Sequence, residues 1–239
     1  MFVESGPSFI NPSRVSPVCL SAEVSTGATA TKRLKVDNKV AICVTPIFSS
    51  ESILIEPKKI GTNVDRTRKW LSGIMHNQEW ERFESTMCLV FGELVLYAQL
   101  SSKHALAFQT MMSAASSSSS VSVGECNTQF ANAPSDMFSP VKATKAPAKN
   151  NDSLMHLSVP VYDARKIVVN FEADLDRLDK VLPLFKGEVP FGSFVVVGYT
   201  VSSYKAALSS GGEKMPNLGC NILWAIVCGT PILRTKLRT

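Results

Sequence analysis

The side chains that most often carry chemistry are few in this sequence and far apart. There are three histidines, His76, His104 and His156, and six cysteines, Cys19, Cys43, Cys88, Cys126, Cys220 and Cys228. Zinc sites need Cys and His ligands at short, characteristic spacings, and none of the histidines has such a neighbour. Neither C-x-x-C nor H-E-x-x-H occurs. Several cysteines sit inside apolar runs, as in Met87-Cys88-Leu89-Val90, where a thiol packs as a small hydrophobe. Glu172, Asp174, Asp176 and Asp179 suggest calcium at first sight. A calcium loop starting at Asp174 fails, because its fifth, sixth and twelfth positions hold Leu178, Asp179 and Phe185. The phosphate-loop pattern, the dinucleotide fingerprint and the G-x-S-x-G elbow are all missing. Gly211-Gly212-Glu213-Lys214 resembles a fragment of a phosphate loop but reads as a turn. No cofactor, metal or catalytic set is implied.

Cations beside aromatic rings offer more. Lys32, Arg33 and Lys35 form one basic group. Arg66, Arg68 and Lys69 adjoin Trp70 in a second, and Arg234, Lys236 and Arg238 make a third. A sheet face carrying such residues can bind single-stranded nucleic acid, with phosphates on the cations and bases on the rings. The plainer account is a buried tryptophan with solvated cations. No RNP-type aromatic motif is present. Ser139-Pro140-Val141-Lys142 fits a proline-directed kinase, making Ser139 a candidate phosphorylation site. A phosphate there would add about −1.5 to −2 charges beside Lys142, Lys145 and Lys149.

These groups need a scaffold, and the chain is long enough to supply one. Its 239 residues carry a net charge of +5, with 45 % hydrophobic and 19 % charged residues. Such a composition excludes a fibre, a long coiled coil and a wholly disordered chain. A domain of this size buries enough surface to fold without disulfides or metals. The N-terminus has no basic segment leading into an apolar core, so no signal peptide is read. The most apolar run, Cys220 to Leu233, is shorter than the roughly 20 residues of a membrane-spanning helix. The expectation is an intracellular protein, of cytoplasm or nucleus, with no membrane partner.

Residues 1–31, rich in Ser, Pro, Thr and Gly, read as a flexible arm. Residues 32–233 read as one strand-rich domain, interrupted by a disordered Ser/Pro/Lys-rich loop over 113–152. Residues 234–239 form a basic tail. Leu34, Val36, Val40, Ile42 and Val44 alternate across the turn-like pair Asp37-Asn38. Ser52 to Glu56 is a short strand stopped by Pro57. Val64, Thr67, Leu71, Ile74 and Met75 recur at helical spacing after Asn63, which predicts a helix that Gly73 weakens. Trp80, Phe83 and Met87 either continue it or begin a strand. Glu93 to Ala115 is a helix or a hairpin turning at Ser101-Ser102-Lys103, and the strand-like surroundings favour the hairpin. Strands are expected at Leu154–Tyr162, Lys166–Phe171, Ser193–Ser202 and over the Cys220 run. Asp174–Leu182 reads as a short helix or turn with Leu175, Leu178 and Leu182 on one face. The pattern lacks regular strand–helix alternation. It fits an α+β fold, mainly an antiparallel sheet or a partly open barrel with one or two helices.

The function this supports is a non-enzymatic binding module with nucleic acid as its leading partner. One alternative is a self-assembling structural protein, of coat or movement type, whose core packs against copies of itself or another protein. Another is an enzyme with dispersed catalytic residues.

Overall fold

Asp37 and Asn38 both take positive φ, 48° and 61°. That places a tight reversal between β3 (Lys32–Val36) and β4 (Lys39–Val40), whose residues pair antiparallel. The computed structural model describes residues 9–24, 31–59, 67–101, 104–110, 159–207 and 213–231. Over them run β1 (Phe9–Ile10), β2 (Leu20–Val24), β3, β4, β5 (Ile42–Lys59) and β6 (Thr67–Ile74). Next come α1 (Asn77–Phe91), β7 (Tyr97–Ala98), β8 (Leu106–Gln109) and β9 (Val161–Asp163). The short α2 (Leu178–Val181), β10 (Phe194–Ala207) and β11 (Lys214–Gly229) complete the described chain. The fold is strand-rich α+β.

Long strands dominate because apolar residues alternate along them. Val195, Val197, Tyr199 and Val201 of β10 face one way, while Val196 and Gly198 face the other. β5 pairs with β6, β6 with β8, β8 with β11 and β11 with β10. β10 then returns to pair with β5, so these strands close into a ring. The β8–β11 pairing is parallel and the others in the ring are antiparallel. β3 extends the sheet from β10, and β2 lies beside β3.

The main core fills the inside of the ring. Leu34, Ile47, Leu71, Phe108, Val197 and Tyr199 are all at 1 % exposure or less. Residues from both sides of segment 111–158 share this core. The Phe108 and Tyr199 rings meet edge to face at 4.8 Å. The Tyr199 hydroxyl and Thr45 Oγ1 share a 2.9 Å hydrogen bond, which satisfies both inside the apolar interior. A second cluster lies on the outer side of β10 and β11. There Val196, Trp224 and Ile226 are covered by Tyr162, Leu175, Leu178 and Leu182 from the 161–182 segment.

The segment that reads as a helix after Asn63 is a strand where it is described. β6 pairs with β5 on one side and β8 on the other, and that pairing overrides the helical spacing. Leu71 is buried inside, and Gly73 is required by close approach. A methyl group on Gly73 would stand 2.9 Å from Ile47 Cβ. The helix begins at Asn77 instead. Phe83, Met87 and Phe91, four residues apart, put its buried face into the core. Gly92 ends it in the left-handed conformation, with φ 68°.

Other expectations shift less. Residues 9–24 of the N-terminal segment belong to the fold: β2 pairs along β3, and Arg14 holds Glu79 of α1 at 2.6 Å. The Gln99 carbonyl accepts from Ala107 N, and Leu100 bridges Leu106 antiparallel, so 97–101 and 104–109 lie side by side as in a hairpin rather than a helix. Lys166–Phe171 is not a strand: a turn and bend at Lys166–Ile167 lead into irregular chain over 168–170, where Val168 is 98 % exposed. β11 begins before the Cys220 run, at Lys214, so Pro216 lies inside it, opposite Lys205. Segment 113–152 and positions 154–158 fall outside the described residues.

β5 also runs past Pro57 rather than stopping there. Its register against β6 shifts between Ile53 and Lys58, and the unpaired donors are met by a side chain. The Glu188 carboxylate accepts from Leu54 N at 2.9 Å, Ile55 N at 2.7 Å and Ser52 Oγ at 2.6 Å. Glu188→Ala is expected to cost about 2 kcal/mol in urea unfolding, since charge-assisted bonds to two backbone donors are lost. Glu188→Gln, which keeps an acceptor, should cost less. An unchanged midpoint in both would show that water replaces the carboxylate freely.

Candidate nucleic-acid interface

The pleat sorts the basic residues that look alike in the sequence. On β3, Leu34 and Val36 point into the core, so Arg33 and Lys35 lie on the outer face and Lys32 on the inner. Lys32 is spent on the end of α1. Its Nζ donates to the Phe91 carbonyl at 2.7 Å and lies 3.5 Å from Glu93 Oε1. A cation there offsets the unpaired carbonyls of a helix C-terminus. Lys35 forms an ion pair with Glu23 on β2. Arg33 lies opposite Ser202 of β10, and Ser202 lies opposite Gly219 of β11.

On β6 the same alternation puts Arg68 and Trp70 outside, because Leu71 is inside. Lys69 falls on the inner side at the rim. Its backbone N–H donates to Thr110 Oγ1 at 3.1 Å. Trp70 is half-buried and stands opposite Gln109 of β8. Arg68 reaches along this face. Its Nη1 donates to Gln109 Oε1, with Gln99 Oε1 at 3.4 Å, and its buried Nε has no partner among the described residues. Burial pushes the Arg68 pKa down, while the nearby Tyr204 phenol acts in the opposite direction. The register also sets Lys58 of β5 opposite Arg68, two cationic positions on one rung.

Arg33, Arg68 and Trp70 therefore share the outer face of β3, β10, β11, β8 and β6. Five adjacent strands span about 19 Å, at ~4.8 Å per step. The second apolar cluster covers only the Val196–Trp224 end of β10 and β11. Beyond it the outer face carries Thr200, Ser202, Asn217, Gly219 and Asn221. Here sequence reading missed Gln99, Gln109 and Tyr204. Nothing local marks them, since they meet only through strand pairing. Arg66, Arg234, Lys236, Arg238 and Ser139 lie outside the described residues.

Other features of the described residues offer less to chemistry. A shallow hollow is lined by Ser52, Ile53, Ile55 and Glu188, but its carboxylate already holds the β5 backbone. Burial pushes the Cys43 thiol up and the Cys220 thiol up to about 12, so both stay protonated packing groups at neutral pH. No group of three or more metal-ligand side chains occurs among the described residues, and no helix among them is long and apolar enough to cross a membrane. No protein family, curated protein or solved structure matches this chain.

Proposed function

We propose that this protein is a non-enzymatic nucleic-acid-binding module that uses the outer face of β3, β10, β11, β8 and β6. One observation carries the reading: three residues picked from the sequence for nucleic-acid chemistry, Arg33, Arg68 and Trp70, stand on that single face. The two guanidinium groups sit on strands at its opposite sides, so a phosphate chain crossing the strands meets one after the other. Gln109 and Gln99 steady Arg68 on the surface, which lowers the entropy lost when it engages a phosphate. The +5 net charge favours the encounter.

Binding of a fluorescent oligonucleotide, titrated over a salt series, tests this. Affinity should fall log-linearly with salt, and each phosphate contact removed should lower the slope by about 0.7 on a single strand. Arg33→Gln combined with Arg68→Gln is expected to remove two such contacts while the protein stays folded. Binding that ignores salt, or a slope that the double variant leaves unchanged, would discard the assignment.

A second reading, self-association, is favoured by a different observation. Phe48, Ile74 and Phe194 are paired in one cross-strand row on the outer face and remain 56 %, 54 % and 40 % exposed. This uncharged row can face its own copy without opposing like charges. A species larger than a 26.0 kDa monomer in sizing, lost in Phe48→Ser, supports it; a monomer sinks it.

A further inference from the structure

A row of tyrosines crosses the proposed face where neither basic cluster extends. Asn217 of β11 is opposite Tyr204 of β10 on one side and Tyr97 of β7 on the other. Leu218 and Ala98, one residue along, belong to the core side, so the Tyr–Asn–Tyr row is on the outer face. Both rings stay partly exposed, Tyr97 at 37 % and Tyr204 at 36 %. The Asn217 amide is turned back onto its own strand, donating to the Met215 carbonyl at 2.8 Å.

Gly219 explains how Tyr204 lies. A methyl group on Gly219 would come within 3.3 Å of Tyr204 Cε1 and of Ser202 Oγ. The ring therefore leans over bare backbone, and its phenol lies near enough to Arg68 to act on that guanidinium. A ring held against a sheet keeps one π-face outward, and every base has a π-face to match it. Cations at the flanks supply what the sugar–phosphate chain needs.

We infer that Tyr204 and Tyr97 are base-stacking platforms, and that the ligand of this face is therefore a strand with unpaired bases rather than a duplex. The inference rests on the nucleic-acid reading and deepens it. Bases within a duplex present their edges and keep their faces stacked on one another. Only a single strand can lay a base flat on Tyr204 while its phosphates reach Arg68 or Arg33. Neither tyrosine is needed for affinity that comes from charge alone.

The test uses the full chain, a labelled oligothymidylate and a labelled duplex of equal length, with a thermal melt of every variant. Tyr204→Ala and Tyr97→Ala should each weaken single-strand binding by about tenfold, the effect of losing one stacked base. Tyr204→Phe should retain affinity to within about twofold, because the ring face is kept. Duplex binding and the salt slope should not move. If Tyr204→Ala lowers the melt, Tyr204→Leu keeps an apolar cover over Gly219 without a π-face, and Tyr97→Ala reads the second platform independently. Equal losses on strand and duplex, or no loss in any of the alanine and leucine variants, would overturn the stacking role. Salt-sensitive binding that survives those variants would fail this inference alone. No binding by the parent protein would fail the nucleic-acid reading with it.

Discussion

Gly198→Ala is expected to destabilise the protein by about 3 kcal/mol, the upper range for forcing a methyl group into a filled site. Gly198 is on the outer side of β10, directly opposite Trp224 of β11. The added carbon would sit 2.5 Å from Trp224 Cδ2 and closer still to Cε2 and Cζ2. Trp224 has little room to move, being 3 % exposed and packed among Tyr162, Leu178 and Ile226. Nor can the backbone yield cheaply. The β10–β11 register already shifts beside Gly198, where Tyr199 pairs with Ile222 and Leu223 is the extra residue. The expected readout is a lower urea midpoint with an unchanged slope. Trp224→Leu creates a cavity by itself, yet it should relieve the clash. A double-mutant cycle is therefore expected to show favourable coupling of about 1–2 kcal/mol between the two changes. Additive costs would mean that the ring does not rest on Gly198.

The two strands joined at that contact are also the part of the fold most legible in the sequence. Ser193–Ser202 and the Cys220 run are long, β-branched and apolar, and no helix period fits them. Asp37-Asn38 announced its turn because few residue types tolerate positive φ at two successive positions. The 64–75 stretch misled for a physical reason. Leu71, Ile74 and Met75 have helical spacing, yet Leu71 and Met75 are in the core while Ile74 between them is half-exposed. The strand is recognisable only with β5 and β8 on either side of it. α1 was masked in turn by its charged exposed face, which leaves Phe83, Met87 and Phe91 as a sparse signal. At the candidate interface, the composition of 32–35 and 66–70 pointed to cations beside a ring. Alternation with Leu34 and Val36 already separates Lys32 from Arg33, and that signal was present in the sequence. Tyr97, Tyr204 and Gly219 carried none, because more than 100 residues separate the first two and only β11 brings them together.

Phe83→Ala should cost about 4 kcal/mol, in the range of buried phenylalanine truncations. Phe83 is 1 % exposed and enters the main core from α1, with Met87 and Phe91 one and two turns further on. The neighbouring Trp80 ring lies 6.1 Å away, tilted by 31°, and is only partly buried, so it cannot fill the space without leaving its own contacts. Besides the Arg14–Glu79 ion pair, two bonds to helix carbonyls fasten the ends of α1. Ser13 Oγ donates to the Glu79 carbonyl at 2.8 Å near the start, and Lys32 Nζ holds the Phe91 carbonyl at the finish. They are worth about 1–3 kcal/mol each, less than the combined burial of Phe83, Met87 and Phe91, so apolar burial decides whether α1 stays docked. The proper control is Leu89→Ala on the same helix, since Leu89 is 69 % exposed and should change stability by no more than about 0.5 kcal/mol. Unfolding followed by far-ultraviolet circular dichroism and by tryptophan fluorescence separates two mechanisms. Coincident, lowered transitions mean that α1 and the ring of strands unfold as one unit. An early loss of helix signal, with the strand core intact, would mean that α1 docks on a sheet already stable without it, and that the core closes around Tyr199 and Phe108 rather than around the helix.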